Sequence, residues 1–279
     1  MTEVLIVGTG LIGASIGLAL REAGFAGSII GIDASGDELS TALQMGAIDH
    51  AARSPDEHRA AIEKADVIVL AVPVLAILHW MGVICPLLRS DQLVTDAGST
   101  KAKIAEAAAQ WMPGNFLPGH PMAGKESGGA AQAQATLFHD ATWLFTPLHD
   151  PTAMEEEWRE WVRRFGAHTL DLEAAAHDRI CAWVSHMPQM VSTAMSAMLE
   201  DEFGDSPELR AIGGRALREM TRLGSSPYSM WRDVAHTNLQ PIAETLQTLE
   251  QRLQHIRENL RTPELRDEFF TANRFRSRL

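Results

Sequence analysis

Short apolar runs alternate with segments of helical periodicity through the first half of the chain. The apolar runs cover residues 4–7, 28–33, 67–72 and 93–96, and the helical segments cover 11–23, 37–45 and 100–111. Strands of a parallel sheet are continuously apolar because helices cover both of their faces. The alternation therefore predicts an α/β fold with a doubly wound parallel sheet.

The second half of the chain follows a different pattern. Residues 141–145 and 167–172 are further strand candidates, with a helix over 152–165 between them, and helical periodicity dominates afterwards. The sequence therefore predicts an α/β domain over 1–172 and an all-helical domain over 173–279.

Leucine and isoleucine recur at alternating steps of three and four residues in the predicted helical domain. The positions are Leu239, Ile242, Leu246, Leu249, Leu253, Ile256 and Leu260. This spacing places them on one face of a helix, where they pack against another helix. The seam belongs either to a helix packed within its own domain or, as we favour, to a homodimer interface.

Composition and charge exclude several classes of partner. The 279 residues include 24 Lys and Arg against 36 Asp and Glu, a formal net charge of −12. A surplus of negative charge disfavours binding to nucleic acid or to an anionic membrane. A negatively charged ligand would need local positive charge, so clustered arginines become candidates for binding one.

The sequence also indicates the compartment. Residues 67–88 are apolar, but Pro73 divides them into a strand and a helix, and His79 would lie within the bilayer, which argues against a membrane span. Cys85 and Cys181 lie in apolar runs, as buried free thiols do in a reducing compartment. No basic, cleavable leader and no Cys/His cluster with metal-ligand spacing are seen. We expect a cytoplasmic protein without a bound metal.

A glycine motif joins the first predicted strand to the first predicted helix. In this motif Gly8 permits a tight turn, Gly10 permits close approach of a pyrophosphate, and Gly13 lets the helix pack on the strand. Leu11 and Ile12 open the helix, whose free N–H groups would face the phosphates. The motif predicts a Rossmann-type dinucleotide site.

An acidic residue selects among dinucleotides. Asp33 lies 20 residues after Gly13, at the end of the second strand, where it would bind the adenosine ribose and repel a 2′-phosphate. Residues 34–36 contain no Arg or Lys to hold such a phosphate, so NAD is favoured over NADP. Val72 and Pro73 end the third strand and are expected near the nicotinamide.

Four groups of polar residues follow the glycine motif. They are Asp-Ala-Gly-Ser-Thr-Lys at 96–101, Gly-His-Pro-Met-Ala-Gly at 119–124, His-Asp at 177–178 with Ser-His-Met-Pro at 185–188, and Thr-Arg-Leu at 221–223 with Met-Trp-Arg-Asp at 230–233. His120 stands between Gly119 and Pro121, which fix the backbone while the ring stays free to react. A lone histidine after a dinucleotide site indicates a proton acceptor for hydride transfer from a hydroxyl-bearing carbon.

In this order, the groups resemble those of the prephenate and arogenate dehydrogenases of tyrosine biosynthesis, over about residues 3–270. The resemblance implies NAD-dependent oxidative decarboxylation of prephenate to 4-hydroxyphenylpyruvate, without a metal. The alternatives that it leaves open are arogenate as the substrate, giving tyrosine, and a cyclohexadienyl dehydrogenase that accepts both.

The same resemblance assigns roles to individual residues. His120 corresponds to the catalytic histidine and Ser99 to a serine that hydrogen-bonds in the same cluster. Arg222 corresponds to the arginine that holds a substrate carboxylate, and Ser185 to a residue of the substrate site. Independently, Pro188 would interrupt its helix and bend the axis, aiming Ser185 and the neighbouring histidine at a cleft.

Several positions depart from the family pattern. Gln189 stands where some members have histidine, Lys125 where many have threonine or proline, and Glu219 where aspartate is common. Lys125 would suit a second substrate carboxylate, whereas Glu126 would suit the ammonium group of arogenate. The substrate therefore stays open, with prephenate favoured.

Two other functions remain as alternatives. Dehydrogenases of similar architecture that act on β-hydroxy acids or imines usually place a catalytic lysine in the helical domain, but residues 173–279 contain none. A non-catalytic nucleotide sensor would bind NAD without turnover, and the presence of His120, Ser99 and Arg222 together argues against it.

Overall fold

The computed structural model describes residues 1–125 and 127–278, and its first part contains a six-stranded parallel sheet. The strands are β1 (Glu3–Val7), β2 (Ser28–Ile32), β3 (His50–Ala51), β4 (Val67–Leu70), β5 (Leu93–Asp96) and β6 (Phe116–Leu117). They are arranged in the order β3-β2-β1-β4-β5-β6. The chain winds outward from β1 in one direction and from β4 in the other, which leaves a ligand-binding crevice at the switch between them.

Helices cover both faces of this sheet. They are α1 (Leu11–Glu22), α2 (Gly36–Gln44), α3 (Pro55–Lys64), α4 (Val74–Ile84) and α5 (Ala102–Trp111). Val4 and Ile6 of β1 pack in the cluster that contains α1 and α2, whereas Leu5 and Val7 pack in the cluster that contains α3, α4 and α5. Successive residues of the strand are therefore buried on opposite faces, which confirms the predicted doubly wound fold.

A separate three-stranded sheet follows. It consists of β7 (Gly119–Pro121), β8 (Thr142–Phe145) and β9 (His168–Asp171), with β7 antiparallel and β9 parallel to β8, and α6 (Ala153–Arg164) connects β8 to β9. The strands predicted over 141–145 and 167–172 thus form their own sheet rather than extending the first. Aromatic rings, including Trp143 and Trp158 at 6.4 Å between centroids, fill the space beneath it.

Helices make up the rest of the described chain. They are α7 (Ala174–Cys181), a π-helical turn (Ala182–His186), α8 (Met187–Phe203), α9 (Pro207–Ile212), α10 (Arg215–Thr221), α11 (Tyr228–Thr237), α12 (Leu239–Glu258) and α13 (Pro263–Arg276). The seam residues from Leu239 to Ile256 lie on α12, as their spacing predicts, whereas Leu260 follows the end of the helix. In the described residues, no helix is both long and apolar enough to cross a membrane.

The helical part buries little of its apolar surface within one chain. Its apolar cluster of buried residues contains Ala182, Val234 and Ile242. Farther along the seam Leu253 is 55% exposed, and Phe270 of α13 is 62% exposed. Within one chain, packing therefore buries Ile242 of the seam, whereas Leu239, Leu253 and Leu260 stay more than half exposed.

Candidate active site

A cleft of about 600 Å³ lies between the carboxyl edge of the six-stranded sheet and the helical part. Its lining includes most of the residues singled out from the sequence, namely Gly10, Leu11, Ile12, Val72, Pro73, Ser99, His120, Lys125, Ser185, Gln189 and Arg222. Residues about 200 positions apart in the chain are thus brought to one site.

The glycine turn has the properties of a dinucleotide cradle. Gly8 has a φ of +92°, and a Cβ on it would lie 2.4 Å from the carbonyl oxygen of Ala71. A Cβ on Gly13 would lie 1.8 Å from the carbonyl oxygen of Gly8. A Cβ on Gly10 would meet no atom within 4 Å, so the space above Gly10 is open to a ligand.

Asp33 is held at the end of β2 by backbone donors. Its Oδ2 accepts a hydrogen bond from the Thr9 N–H at 2.7 Å, and its Oδ1 accepts one from the Ser35 N–H at 2.8 Å. The carboxylate therefore stands beside the glycine turn, where a ribose would lie. One cation near this site was not predicted from the sequence: Arg53 Nη1 lies 3.6 Å from where a Cβ of Gly36 would be.

His120 lies on β7 and lines the same cleft as Gly10 of the glycine turn. The ring is 7% exposed, and its Nδ1 lies 2.9 Å from Nε2 of His177. Burial lowers the pKa of His120 well below 6.5, and the neighbouring His177 and Lys101 lower it further. The imidazole is therefore neutral at pH 7, which is the form that accepts a proton.

Two residues behind His120 were noted in the sequence but given no role. His177 is fully buried, and its Nδ1 lies 2.8 Å from Oδ1 of Asp178. Asp178 also accepts hydrogen bonds from the backbone N–H groups of Lys101, at 2.6 Å, and Ala102, at 2.9 Å. The first helix of the helical part is thereby fixed to the N-terminus of α5.

A buried ion pair supports the strand that carries His120. Lys101 and Asp96 are both fully buried and bonded to each other. Asp96 also accepts from the N–H of Gly98 at 2.8 Å and from that of Gly119 at 3.1 Å. Burial raises the pKa of Asp96, and the ammonium of Lys101 with these two donors opposes the rise. The pair fixes β7 against the end of β5.

The π-helical turn brings part of the helical domain to the cleft. Pro188 lies in the first turn of α8, directly after the π-helical turn, so the missing N–H coincides with a change in helical geometry. Ser185 lines the cleft, as predicted. His186, which was predicted to aim at the cleft as well, is instead buried, with Nδ1 3.1 Å from Nδ2 of Asn238.

Gln189 connects α8 to the segment that carries Arg222. Its amide nitrogen donates to the carbonyl oxygen of Leu223 at 2.7 Å, and its amide oxygen accepts from the Ser226 hydroxyl at 3.1 Å. Arg222 begins a 3₁₀ turn and its side chain lines the cleft. The amide of Gln189 therefore holds the turn in place.

The loop after His120 supplies a further cation. Lys125 lines the cleft, and its ammonium donates to the carbonyl oxygen of Gln132 at 2.7 Å. Glu126, the other predicted residue of this loop, lies outside the described residues.

Among the described residues, His120, His177 and Cys181 form a group whose ligand atoms lie within 4.8 Å of one another. Burial raises the pKa of the Cys181 thiol to about 12, so the thiol is neutral at pH 7. Within this group, the two histidine rings form a hydrogen-bonded pair, with His120 Nδ1 2.9 Å from His177 Nε2.

Comparison with known proteins identifies the family. Residues 16–170 match the model of the prephenate dehydrogenase nucleotide-binding domain, and residues 173–273 match that of the prephenate dehydrogenase dimerization domain. Prephenate dehydrogenase of Bacillus subtilis is 31% identical over 86% of this chain, and that of Lactococcus lactis is 32% identical over 92%. The chain spans 65% and 70% of the length of these two relatives.

Solved structures agree with this result. Prephenate dehydrogenase of Aquifex aeolicus in complex with hydroxyphenyl propionate and NAD+ superimposes with a TM-score of 0.88 at 26% identity, covering 99% of this chain and 97% of that chain. Arogenate dehydrogenase of Synechocystis superimposes with a TM-score of 0.79 at 28% identity, covering 99% of both chains. On these matches and the geometry of the cleft, the chain belongs to the prephenate dehydrogenase family.

Proposed function

We propose that this protein is an NAD-dependent dehydrogenase that oxidatively decarboxylates prephenate to 4-hydroxyphenylpyruvate in tyrosine biosynthesis. One observation carries the proposal: a neutral, buried histidine and an arginine line the same cleft as the glycine turn. The Aquifex aeolicus relative, whose structure superimposes on this one, holds hydroxyphenyl propionate and NAD+. A hydroxyphenyl acid has the aromatic ring and carboxylate that the proposed product also has.

The glycine turn is the proposed site of the cofactor. The open space above Gly10 accommodates a pyrophosphate, and the N-terminus of α1 supplies N–H donors and a favourable dipole. Asp33 would accept hydrogen bonds from the ribose, while Val72 and Pro73 would contact the nicotinamide end. When bound there, NAD+ supplies the acceptor for the hydride that leaves the hydroxyl-bearing ring carbon.

His120 is the proposed base. It would take the proton of the ring hydroxyl as the hydride leaves, which gives a carbonyl at that carbon. Loss of the ring carboxylate as CO2 then places its electron pair in the ring, which becomes aromatic. The proton held by His120 returns to the phenolate oxygen, so the residue ends neutral. General-base catalysis of this kind contributes about 10²- to 10⁴-fold in rate.

Three polar residues are proposed to position the substrate. Arg222 would hold a carboxylate, because a guanidinium matches the carboxylate fork and a charge-assisted bond contributes about 1.5–3 kcal/mol. Ser99, which follows β5, and Ser185, in the π-helical turn, both line the cleft and would hydrogen-bond the substrate. Gln189 would act mainly by holding the turn of Arg222.

The choice between prephenate and arogenate depends on how the cleft binds the side chain in which the two substrates differ. Lys125 at the cleft favours prephenate, because both substrates have a side-chain carboxylate that its ammonium would attract, but only arogenate has an ammonium group that it would repel. The fold shared with the Synechocystis arogenate dehydrogenase supports arogenate as the second candidate. Glu126 would serve that candidate, and a dual-specificity cyclohexadienyl dehydrogenase would use both groups.

We further propose that two chains associate as a homodimer through the helical domain, with the domain boundary at residues 172/173. The small buried cluster of the helical part and the exposed seam of α12 support an interface between chains. The match to a dimerization domain over 173–273 supports it as well. The free thiols Cys85 and Cys181 fit a cytoplasmic location.

The decisive experiment measures NADH formation by the purified protein with NAD+ and either prephenate or arogenate. A higher kcat/KM with prephenate supports the proposed function, and a higher value with arogenate supports the second candidate. No turnover of either by protein that binds NAD+ would refute both. Repeating the measurement with Lys125→Met tests the specificity argument, because loss of this cation should weaken prephenate selectively.

A further inference from the structure

A row of three side chains leads from the backbone at the start of α5 to Nδ1 of His120. Asp178, His177 and His120 are 3%, 0% and 7% exposed, respectively. The links between them are 2.8 Å and 2.9 Å long, within the range of good hydrogen bonds. The row crosses from the helical part to β7.

The direction of each hydrogen bond in this row follows from the acceptor at its end. Asp178 receives two backbone N–H groups, one on each oxygen, so its carboxylate is fixed and acts as an acceptor. His177 must therefore place its proton on Nδ1, which leaves a lone pair on Nε2. His120 must in turn place its proton on Nδ1 in order to donate to that lone pair.

This order of protons determines which atom of His120 is basic. A neutral imidazole carries one proton, so a proton on Nδ1 leaves the lone pair on Nε2. Without an acceptor behind the ring, either nitrogen would carry the proton, and a proton on Nε2 would remove the base. We propose that His177 and Asp178 are positioning residues that hold His120 in the tautomer whose Nε2 accepts the substrate proton. The inference rests on the proposed function of His120 as the base.

The same row stabilises the charge that forms during the reaction. When Nε2 of His120 takes a proton, the ring becomes an imidazolium that still donates through Nδ1 to His177. The carboxylate of Asp178 then lies two hydrogen bonds away, in a region where burial leaves little screening. The nearby positive charge of Lys101 is offset by its own partner, Asp96.

Nitrogen-15 spectra of the histidine rings test the tautomer directly and require no activity. In the wild-type protein we expect pyrrole-type Nδ1 and pyridine-type Nε2 signals for both His120 and His177. The His120 signals are assigned by their loss in His120→Gln. If the His120 ring of the wild-type protein carries its proton on Nε2, the proposal is wrong, and this result does not depend on which substrate the enzyme converts.

Three variants test the consequence for catalysis. His177→Leu removes the acceptor and should lower kcat by about 10²-fold or more, with little change in KM for either substrate. His177→Gln restores an amide oxygen that can accept from Nδ1 and should recover at least about tenfold over the leucine variant. Ile180→Ala is the control on the same helix, since Ile180 is 41% exposed and takes no part in the row.

The outcomes separate this inference from the proposed function. Wild-type kcat in His177→Leu, or equal losses in the leucine, glutamine and control variants, would overturn the positioning role. Thermal unfolding of each variant identifies a loss that follows stability alone. If the wild-type protein turns over neither substrate, the proposed function fails, while the nitrogen spectra still decide the tautomer.

Discussion

A matched pair of glycine substitutions would separate cofactor binding from packing in the same turn. A Cβ on Gly13 would lie 1.8 Å from the carbonyl oxygen of Gly8, so Gly13→Ala forces α1 away from β1. Overpacking costs about 1–3 kcal/mol, and contact with a main-chain atom places this change near 3 kcal/mol. For a chain of this size the melting temperature should fall by about 6–12 °C.

Gly10→Ala should have the opposite profile. Gly10 has a φ of −68°, which alanine adopts, and a Cβ there meets no protein atom within 4 Å. The free energy of unfolding should change by less than about 1 kcal/mol. The methyl group would occupy the space proposed for the pyrophosphate, and loss of a charge-assisted bond of about 1.5–3 kcal/mol raises the Kd for NAD+ about 10- to 100-fold.

Both variants are measured by thermal unfolding, followed by circular dichroism without cofactor, and by calorimetric titration with NAD+. A wild-type Kd in Gly10→Ala would refute the proposed approach of the pyrophosphate. An unchanged melting temperature in Gly13→Ala would refute the close contact between α1 and the turn. If both variants lost both properties, the turn would be folding as one unit and the separation would be wrong.

Four further changes test other parts of the molecule. His120→Asn should lower kcat, measured by NADH formation, about 10²- to 10⁴-fold and leave the Kd for NAD+, measured by calorimetry, unchanged. A wild-type kcat in this variant would exclude His120 as the base. Arg222→Gln should raise the KM for prephenate about 10- to 100-fold, and an unchanged KM would mean that another group holds the carboxylate. Burial lowers the pKa of His186 from 6.5 to about 4, so only the unfolded chain takes up its proton between these values. Its stabilising contribution is complete above pH 6.5 and is lost as the pH falls toward 4, so the free energy of unfolding measured with urea should drop by about 3 kcal/mol over this range. The free energy of unfolding of His186→Gln should depend less on pH, and the same pH dependence in this variant as in the wild type would exclude this histidine as the cause. Leu253→Glu should shift the proposed dimer toward monomer in sedimentation, and an unchanged dimer would place the interface elsewhere.

Much of the α/β fold follows from local sequence. The strand predicted over 93–96 is β5, because four consecutive buried residues between turn signals leave little choice of structure. By contrast, the sequence did not predict β3, β6 and β7, because strands of two or three residues are too short to show a hydrophobic period. The helix α3 was also missed, although Ser54 and Glu57 form a capping box at its start.

The site proposed for the cofactor also depends mainly on residues that are close together in the sequence. A strand, a glycine turn and a helix are contiguous in the chain, and an acid at the end of the next strand must lie beside them in a parallel sheet. The placement of Gly8, Gly10 and Asp33 therefore needed no knowledge of distant contacts. The family resemblance, which came from motifs in series, is confirmed by the matches to both domains.

The sequence by itself determined the residue types of the site, and the tertiary structure decided which of them touch. His120 and His177 are 57 residues apart, and Lys101 and Asp178 are 77 apart. Whether such groups meet depends on how α7 docks against α5 and β7, which follows from packing over the whole molecule. In the docked arrangement His186 is buried rather than exposed to the cleft, and Asp178 and His177 lie behind His120, the proposed base. Local periodicity carries no information about these contacts, because it reports which face of an element is buried and not what lies against it.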